Sequence, residues 1–352
     1  MPANSRTDAP TSPFADLKAE APAAAKRPVA IEQHGITRVD PYAWLKDDNW
    51  QQVLREPEVL RPEIRAHLEA ENTYYAAATD DLDALRARLF EEMRGRIKED
   101  DSTVPQAHGE YLYSARYRAG GDYPVYVRSD RAGHNEQILF DGDSESGDAD
   151  FFRIGSVSHS PDHALIAHAI DRLGSEYYDV RIRNIATGEE YDETVGSTSG
   201  YVSWASDSKS FFYVERDENQ RPRRVRRHVL GTDPADDELI YEEPDKSYFL
   251  GISKTQSDRY ITITSEKSNS TEVRFLAADA APGTEPTLIA PRELDEEYSV
   301  EHHGDHFYIH TNRGDALDFK IMRTPVATPG REHWEEWLAH KPGTYVLDFL
   351  PL

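Results

Sequence analysis

The sequence predicts a mainly β protein: an incomplete β-propeller preceded by an N-terminal α-helical segment. Three observations lead there. Past Asp100 the apolar residues change from helical spacing to strict alternation. One phrase, a turn with Asp or Gly followed by a short apolar strand, a polar turn and a second strand, returns five times. Clear helical periodicity is confined to the first hundred residues, with a helical signal returning only at REHWEEWLAH near the C-terminus.

Residues 1–30 form a stretch rich in Pro, Ala and Ser with no apolar core of a secretory signal, and are expected to be a mobile tail. Residues 31–100 are expected to be a helical segment. DPYAWLKDDNW (Asp40 to Trp50) is aromatic and turn-like, and Glu63 to Ile97 supports two helices. Within them Leu82, Leu85, Leu89 and Met93 fall on one face, expected to pack as core, with Asp80 and Asp81 placed where an N-cap would help.

Residues 101–352 are expected to be the propeller. The recurring phrase starts at His108, Ser160, Ser206, Gln256 and His303. Matching the turn residues Gly109, Asp162, Ser208, Asp258 and Gly304 gives a pitch of roughly 46 to 53 residues, in the range of four-stranded blades. Each unit is a small antiparallel sheet that cannot bury both faces alone, so neighbours must stack face to face. YLYSARY, YDVRIRN, YITITSE and FYIHTNR carry the two-residue period that half-buried strands need. Five units lie between about Thr103 and Tyr345, with no obvious closure device.

Composition narrows the function classes. Of 352 residues, 38% are hydrophobic and 30% charged, a globular mixture with no stretch long and apolar enough to cross a bilayer, so no membrane partner is expected. The formal net charge of −25 repels phosphate backbones, so no nucleic-acid partner is expected, and a cationic substrate would be attracted. The absence of Cys removes thiolate chemistry and suits a reducing cytoplasm, the expected location.

Taken together, DPYAWLKDD, ENTYY, LFEEMRGRIKEDDSTVP, RYRAGGDYPVYVR, DRLGSEYYDVRIRNIATGE, QRPRRVRRHVLGT and TNRGDALDFKIMRTP resemble the N-terminal half of the prolyl oligopeptidase family of serine peptidases, and within it oligopeptidase B (protease II). The resemblance runs in order from about Ile31 almost to the C-terminus. It implies a helical segment that packs on an α/β-hydrolase domain, and a seven-bladed propeller that admits only short peptides to the active site. Cleavage after Lys or Arg is implied too, with short basic peptides as substrates. The sequence ends at LDFLPL, about five blades in, without the hydrolase domain that would carry the Ser, Asp and His; this chain alone is expected to be inactive.

The residues that could carry chemistry point the same way. The strained elbow that exposes a catalytic Ser needs G-x-S-x-G, and the nearest imitation is GSTSG (Gly196 to Gly200), centred on Thr198 and expected to be an inter-blade loop. No catalytic residue is assigned. His302, His303, His306 and His310 cluster in sequence, as do His159, His163 and His168. Both groups coincide with blade turns and are read as solvated or hydrogen-bonded, so no metal site and no cofactor are expected. RPRRVRRH (Arg221 to His228) is read as a charged strand paired with acidic neighbours. In the inter-strand loop DRLGSEYY, Asp171 and Glu176 are the candidate contacts to a substrate or to a catalytic domain. Two functions stand: the propeller region of an oligopeptidase B-like serine endopeptidase, or a non-catalytic propeller that binds peptides or proteins.

Overall fold

The structure, a computed structural model, describes residues 19–351. The first eighteen residues of the expected tail lie outside that range, and the chain is already in a strand by Val29. It falls into two compact units divided between Glu99 and Asp100.

The first unit opens with a hairpin, β1 (Val29–Gln33) and β2 (Ile36–Asp40). Its two-residue turn places His34 at φ 55° and Gly35 at φ 73°, the left-handed pair whose twist matches that of the flanking strands. Helices α1 (Trp50–Val53), α2 (Pro62–Thr79) and α3 (Asp83–Arg94) follow. Pro62 opens α2, where its missing N–H costs nothing. Just before it, the Arg61 N–H donates to the buried Asp47 carboxylate (2.9 Å), and the Arg61 guanidinium donates to the carbonyls of Trp44 (2.7 Å) and Lys46 (3.0 Å). That lattice fixes the DPYAWLKDD turn against the start of α2.

Two expectations fail here. Asp80 and Asp81 form a short 3-10 turn rather than a cap, and Leu82 precedes α3 with no side-chain cap bond. The face of Leu82, Leu85, Leu89 and Met93 is exposed, together with Phe90. A periodic apolar stripe specifies that a face wants cover but not what covers it.

The second unit is five antiparallel blades. Blade 1 is β3 (Gln106–His108), β4 (Tyr111–Arg116), β5 (Val125–Asp130) and β6 (Gln137–Asp141), followed by one helical turn, α4 (Gly142–Ser146). Blades 2 and 3 form one seven-stranded sheet of β7 (Arg153–His159), β8 (Leu165–Asp171), β9 (Tyr178–Asn184), β10 (Val195–Trp204), β11 (Ser210–Arg216), β12 (Pro222–Val229) and β13 (Glu238–Glu242). Blade 4 is β14 (Phe249–Lys254), β15 (Tyr260–Lys267), β16 (Ser270–Ala277) and β17 (Thr287–Ala290). Blade 5 is β18 (Tyr298–His303), β19 (His306–Thr311), β20 (Lys320–Pro325) and β21 (Glu335–Leu338).

The shared strand β10 corrects the reading of GSTSG. Val195 pairs with Val180 of β9, Thr198 pairs with both Tyr178 of β9 and Glu215 of β11, and Val202 to Trp204 pair with β11 alone. The segment is thus a bulged strand that is outermost in one blade and innermost in the next, not a loop. Ser197 at φ 57° and Gly200 at φ 91° supply the bend. REHWEEWLAH is also corrected: after a 3-10 turn it becomes β21, paired with β20 at Ile321↔Leu338 and Arg323↔Glu335. Tertiary pairing along an open sheet edge outweighs a local helical preference.

Four apolar cores fill the four joints between five blades. Leu139 and Phe140 of blade 1 meet Ile166 and Ile170 of blade 2. Leu165, Val180 and Ile182 of blade 2 meet Trp204, Phe211 and Tyr213 of blade 3. Phe212 and Val214 then turn the other way, onto Leu250, Ile261 and Ile263 of blade 4. Phe275 and Ile289 meet Phe307 and Ile309 of blade 5. Successive residues of β11 therefore serve opposite joints, which is the two-residue period made physical. RPRRVRRH becomes β12, where Arg224 and Arg226 pair with Glu215, and Arg223 with Glu242.

Candidate functional site

The tight turn joining the first two strands of each blade carries one residue of left-handed φ: Gly109 (53°), His163 (61°), Ser208 (56°), Asp258 (59°) and Gly304 (63°). In the second blade the position belongs to His163, one residue beyond the Asp162 chosen from the sequence. Each of three such turns is tied to the neighbouring blade. The Arg128 guanidinium donates to the His163 carbonyl (2.5 Å), the Asp162 N–H to Ser208 Oγ (3.0 Å), and the Gln256 N–H to the Glu301 carboxylate (3.0 Å).

Beside these turns the strands of blades 1 to 4 line a cavity of about 620 Å³, with Gln106, His108, His159, Trp204, Lys254 and Asp258 among its walls. His108 Nε2 lies 3.0 Å from the Asp258 carboxylate, and Lys254 Nζ 3.7 Å from its other oxygen. Burial pushes the Lys254 ammonium below its ordinary range. Burial likewise pushes His159 down to about 4, with His108 and His163 adding repulsion, so its ring is neutral at physiological pH. Tyr113 stacks on His159 at 3.9 Å between ring centroids and places its hydroxyl 2.7 Å from His163 Nδ1.

The structure thus brings His159 and His163 together and adds His108, which the sequence reading had not singled out. One ring nitrogen from each lies within 4.8 Å of the others, the one such group among the described residues. His168 goes elsewhere, to the Glu190 carboxylate at 2.9 Å. The C-terminal group disperses as well. His302 Nδ1 meets Ser257 Oγ (2.7 Å), His303 faces His306 across its hairpin, and His310 Nε2 meets the Val346 carbonyl (2.7 Å). His108 was legible in principle, since it stands one residue before Gly109 and therefore at the same blade turn as His163.

Asp171 and Glu176 differ in what they offer. The Asp171 side chain is buried and accepts from the backbone N–H groups of Leu173 (2.8 Å), Gly174 (3.0 Å) and Glu176 (2.8 Å), so it builds its own loop. Glu176, at φ 59°, holds a half-exposed carboxylate 3.8 Å from Arg153 and 3.9 Å from Arg216. Glu176 is the one a second molecule can reach.

Among the described residues no Ser–His–Asp set is assembled. Ser257 pairs with His302, which makes no hydrogen bond to a carboxylate that could orient it. His228 pairs with Asp237 at 2.8 Å, but its Nε2 faces no hydroxyl. Each pair lacks the third member that acyl transfer requires.

The blades and their pitch find their match in known proteins. A model of the prolyl oligopeptidase N-terminal β-propeller domain matches residues 22–349. The chain belongs to this family. It is 36% identical to dipeptidyl aminopeptidase BI of Pseudoxanthomonas mexicana over 93% of its own length and 46% of the relative's. Protease 2 of Moraxella lacunata is 31% identical over 87% of this chain and 44% of that protein. Oligopeptidase B from Leishmania major superposes with a TM-score of 0.83 at 27% identity, covering 92% of this chain and 47% of the other. The chain spans about half the length of the relatives it matches.

Proposed function

We propose that this chain is the propeller region of an oligopeptidase B-like serine endopeptidase, which hydrolyses short peptides after Lys or Arg and uses the propeller to control their access. The observation that carries this reading is the cavity walled by blade strands in a chain of net charge −25. Such a field would concentrate cationic peptides at that cavity, and a propeller that covers the active site would exclude folded proteins. The chemistry, acyl transfer to a Ser with His as base, belongs to a hydrolase domain. The exposed apolar face of α3 and the carboxylate of Glu176 are the surfaces this reading assigns to contact with that domain or with substrate.

The test combines the chain with the catalytic portion of the Moraxella relative and follows release of a fluorophore placed after Arg, Pro or Glu. Cleavage after Arg that depends on the chain supports the proposal. Cleavage after Pro alone, or none, overturns it. The relative that is named a dipeptidyl aminopeptidase favours a second reading, release of dipeptides from a free N-terminus. Acetylating the substrate's N-terminus separates the two, since an endopeptidase tolerates the cap. Binding of labelled peptides by the chain, with no cleavage in any combination, is the result a non-catalytic propeller gives.

A further inference from the structure

We propose that His108, His159 and His163 form a site for one divalent transition-metal ion of the zinc class, fastening blade 1 to blade 2 beside the cavity. The sequence reading expected hydrogen-bonded histidines and no metal here. The three rings are held as metal ligands are.

An imidazole ligates through a deprotonated nitrogen while the other carries the proton, and the partner of the protonated nitrogen fixes which is which. His108 Nε2 faces the Asp258 carboxylate at 3.0 Å and so carries its proton. Its Nδ1 keeps a lone pair, and that atom is buried with no hydrogen-bond partner. His159 Nδ1 faces the Ser160 carbonyl at 3.0 Å, an acceptor, which leaves Nε2 with the lone pair. His163 Nδ1 meets the Tyr113 hydroxyl at 2.7 Å; with the phenol oxygen accepting from Nδ1–H, Nε2 keeps the lone pair, which is the arrangement ligation requires. Each ring is thus held at one nitrogen by a carboxylate, a carbonyl or a phenol, the outer-shell partners that orient histidine ligands in metal sites.

The rings also converge. Their centroids are 4.9 Å (His108 to His159), 5.3 Å (His108 to His163) and 5.1 Å (His159 to His163) apart. A tetrahedral zinc ion holds imidazole nitrogens at about 2.0–2.1 Å, hence roughly 3.4 Å from one another, so the three donors, now within 4.8 Å of one another, would draw closer on binding. The charges nearby are mixed. Asp258, Asp162 and Glu110 oppose the repulsion of Arg128, whose guanidinium is engaged by Gln137, the His163 carbonyl and the Tyr111 ring. Three imidazoles suit zinc, nickel, cobalt or copper, whereas calcium and magnesium want oxygen ligands. Three protein ligands leave a fourth position for water or a ligand group.

Strand β3 of blade 1 supplies His108, while strand β7 and the following turn of blade 2 supply His159 and His163. Through Asp258 the ion would also hold the turn of blade 4. A metal there adds a polar fastening to the joint that Leu139, Phe140, Ile166 and Ile170 fill with apolar side chains.

The experiment titrates zinc chloride into the chelator-treated 352-residue chain by calorimetry, and cobalt(II) by visible absorption. One equivalent bound per chain, with the intense d–d bands of a low-coordinate cobalt site and a higher melting temperature in zinc, is the expected result. His108→Asn and His163→Asn should each abolish stoichiometric binding, and His306→Asn should leave it intact. Asp258→Asn, on a half-exposed side chain at a left-handed φ that Asn adopts readily, should weaken binding roughly 10–100-fold by freeing the His108 tautomer. Circular dichroism of the metal-free variants confirms folding. If a histidine variant unfolds, the Asp258→Asn affinity decides. Failure of the parent chain to bind one equivalent, or unchanged affinity in the folded variants, overturns the site.

Discussion

Glu190 shows how single side chains close the polar side of a blade. Its carboxylate meets His168 Nε2 at 2.9 Å, Arg183 Nη2 at 2.6 Å and Arg181 Nε at 3.0 Å. The hydrogen bond from His168 above all, then that from Arg183, holds its pKa down to about 2, against the cost of burial. Because the folded pKa lies below the unfolded one, this stabilisation is complete above the ordinary glutamate range of about 4.3 and is lost as pH falls towards 2. Glu190→Gln should therefore cost about 1–3 kcal/mol at neutral pH. Urea melts across pH should show a gap to the parent chain that is flat down to about pH 5 and narrows below it. A gap that does not depend on pH would assign the loss to packing instead. Asp171 belongs to the same scale: a carboxylate read from sequence as a contact to others satisfies three N–H groups of its own loop.

At the scale of elements, the seam between blades 2 and 3 depends on two glycines packed backbone to backbone. A Cβ on Gly155 of β7 would lie 2.8 Å from the Gly200 carbonyl oxygen and 2.9 Å from Gly200 Cα, and one on Gly200 would meet the Tyr178 ring at 3.0 Å. Gly155→Ala should destabilise by about 1–3 kcal/mol, with Gly200→Ala at least as costly because φ is 91° there. Gly251→Ala, in β14 where a Cβ meets nothing within 4 Å, is the control that should stay near neutral. Equal effects at all three in thermal melts would contradict a steric seam. The blades themselves were legible, because alternation in YDVRIRN or YITITSE states which side chains face a neighbour. The strand shared by two blades was not, since GSTSG reads as polar turn residues and only pairing on both sides makes it β10. The same holds for β21, whose four residues are all exposed and carry no buried period. The histidine site was half legible: His159 and His163 drew notice as neighbours in sequence, whereas His108 reaches them only through the stacking of blades.

For the second unit as a whole, joints matter more than blades. Each of the four cores lies between two blades, and among the described residues neither blade 1 nor blade 5 has a further core on its other side. The C-terminal segment partly covers blade 5. Phe319 stacks on His310 at 4.5 Å, Tyr345 meets Phe319 at 5.6 Å, and the Val346 N–H donates to the Asp318 carbonyl at 2.9 Å. Even so, Trp337 and Leu338 of the open edge strand β21 and Leu347 and Leu350 of the C-terminal segment remain exposed. The purified chain should therefore self-associate. Light scattering coupled to gel filtration should show a mass that rises between low and high micromolar concentration. Trp337→Ser combined with Leu347→Ser should move the distribution towards monomer, without changing the circular dichroism spectrum, because neither side chain is part of a joint. Salt discriminates the cause: association through apolar surface persists or strengthens as the repulsion of a −25 chain is screened, whereas association through ion pairs dissolves. A monomer of constant mass that melts in one cooperative step would mean that five blades satisfy their own outer faces.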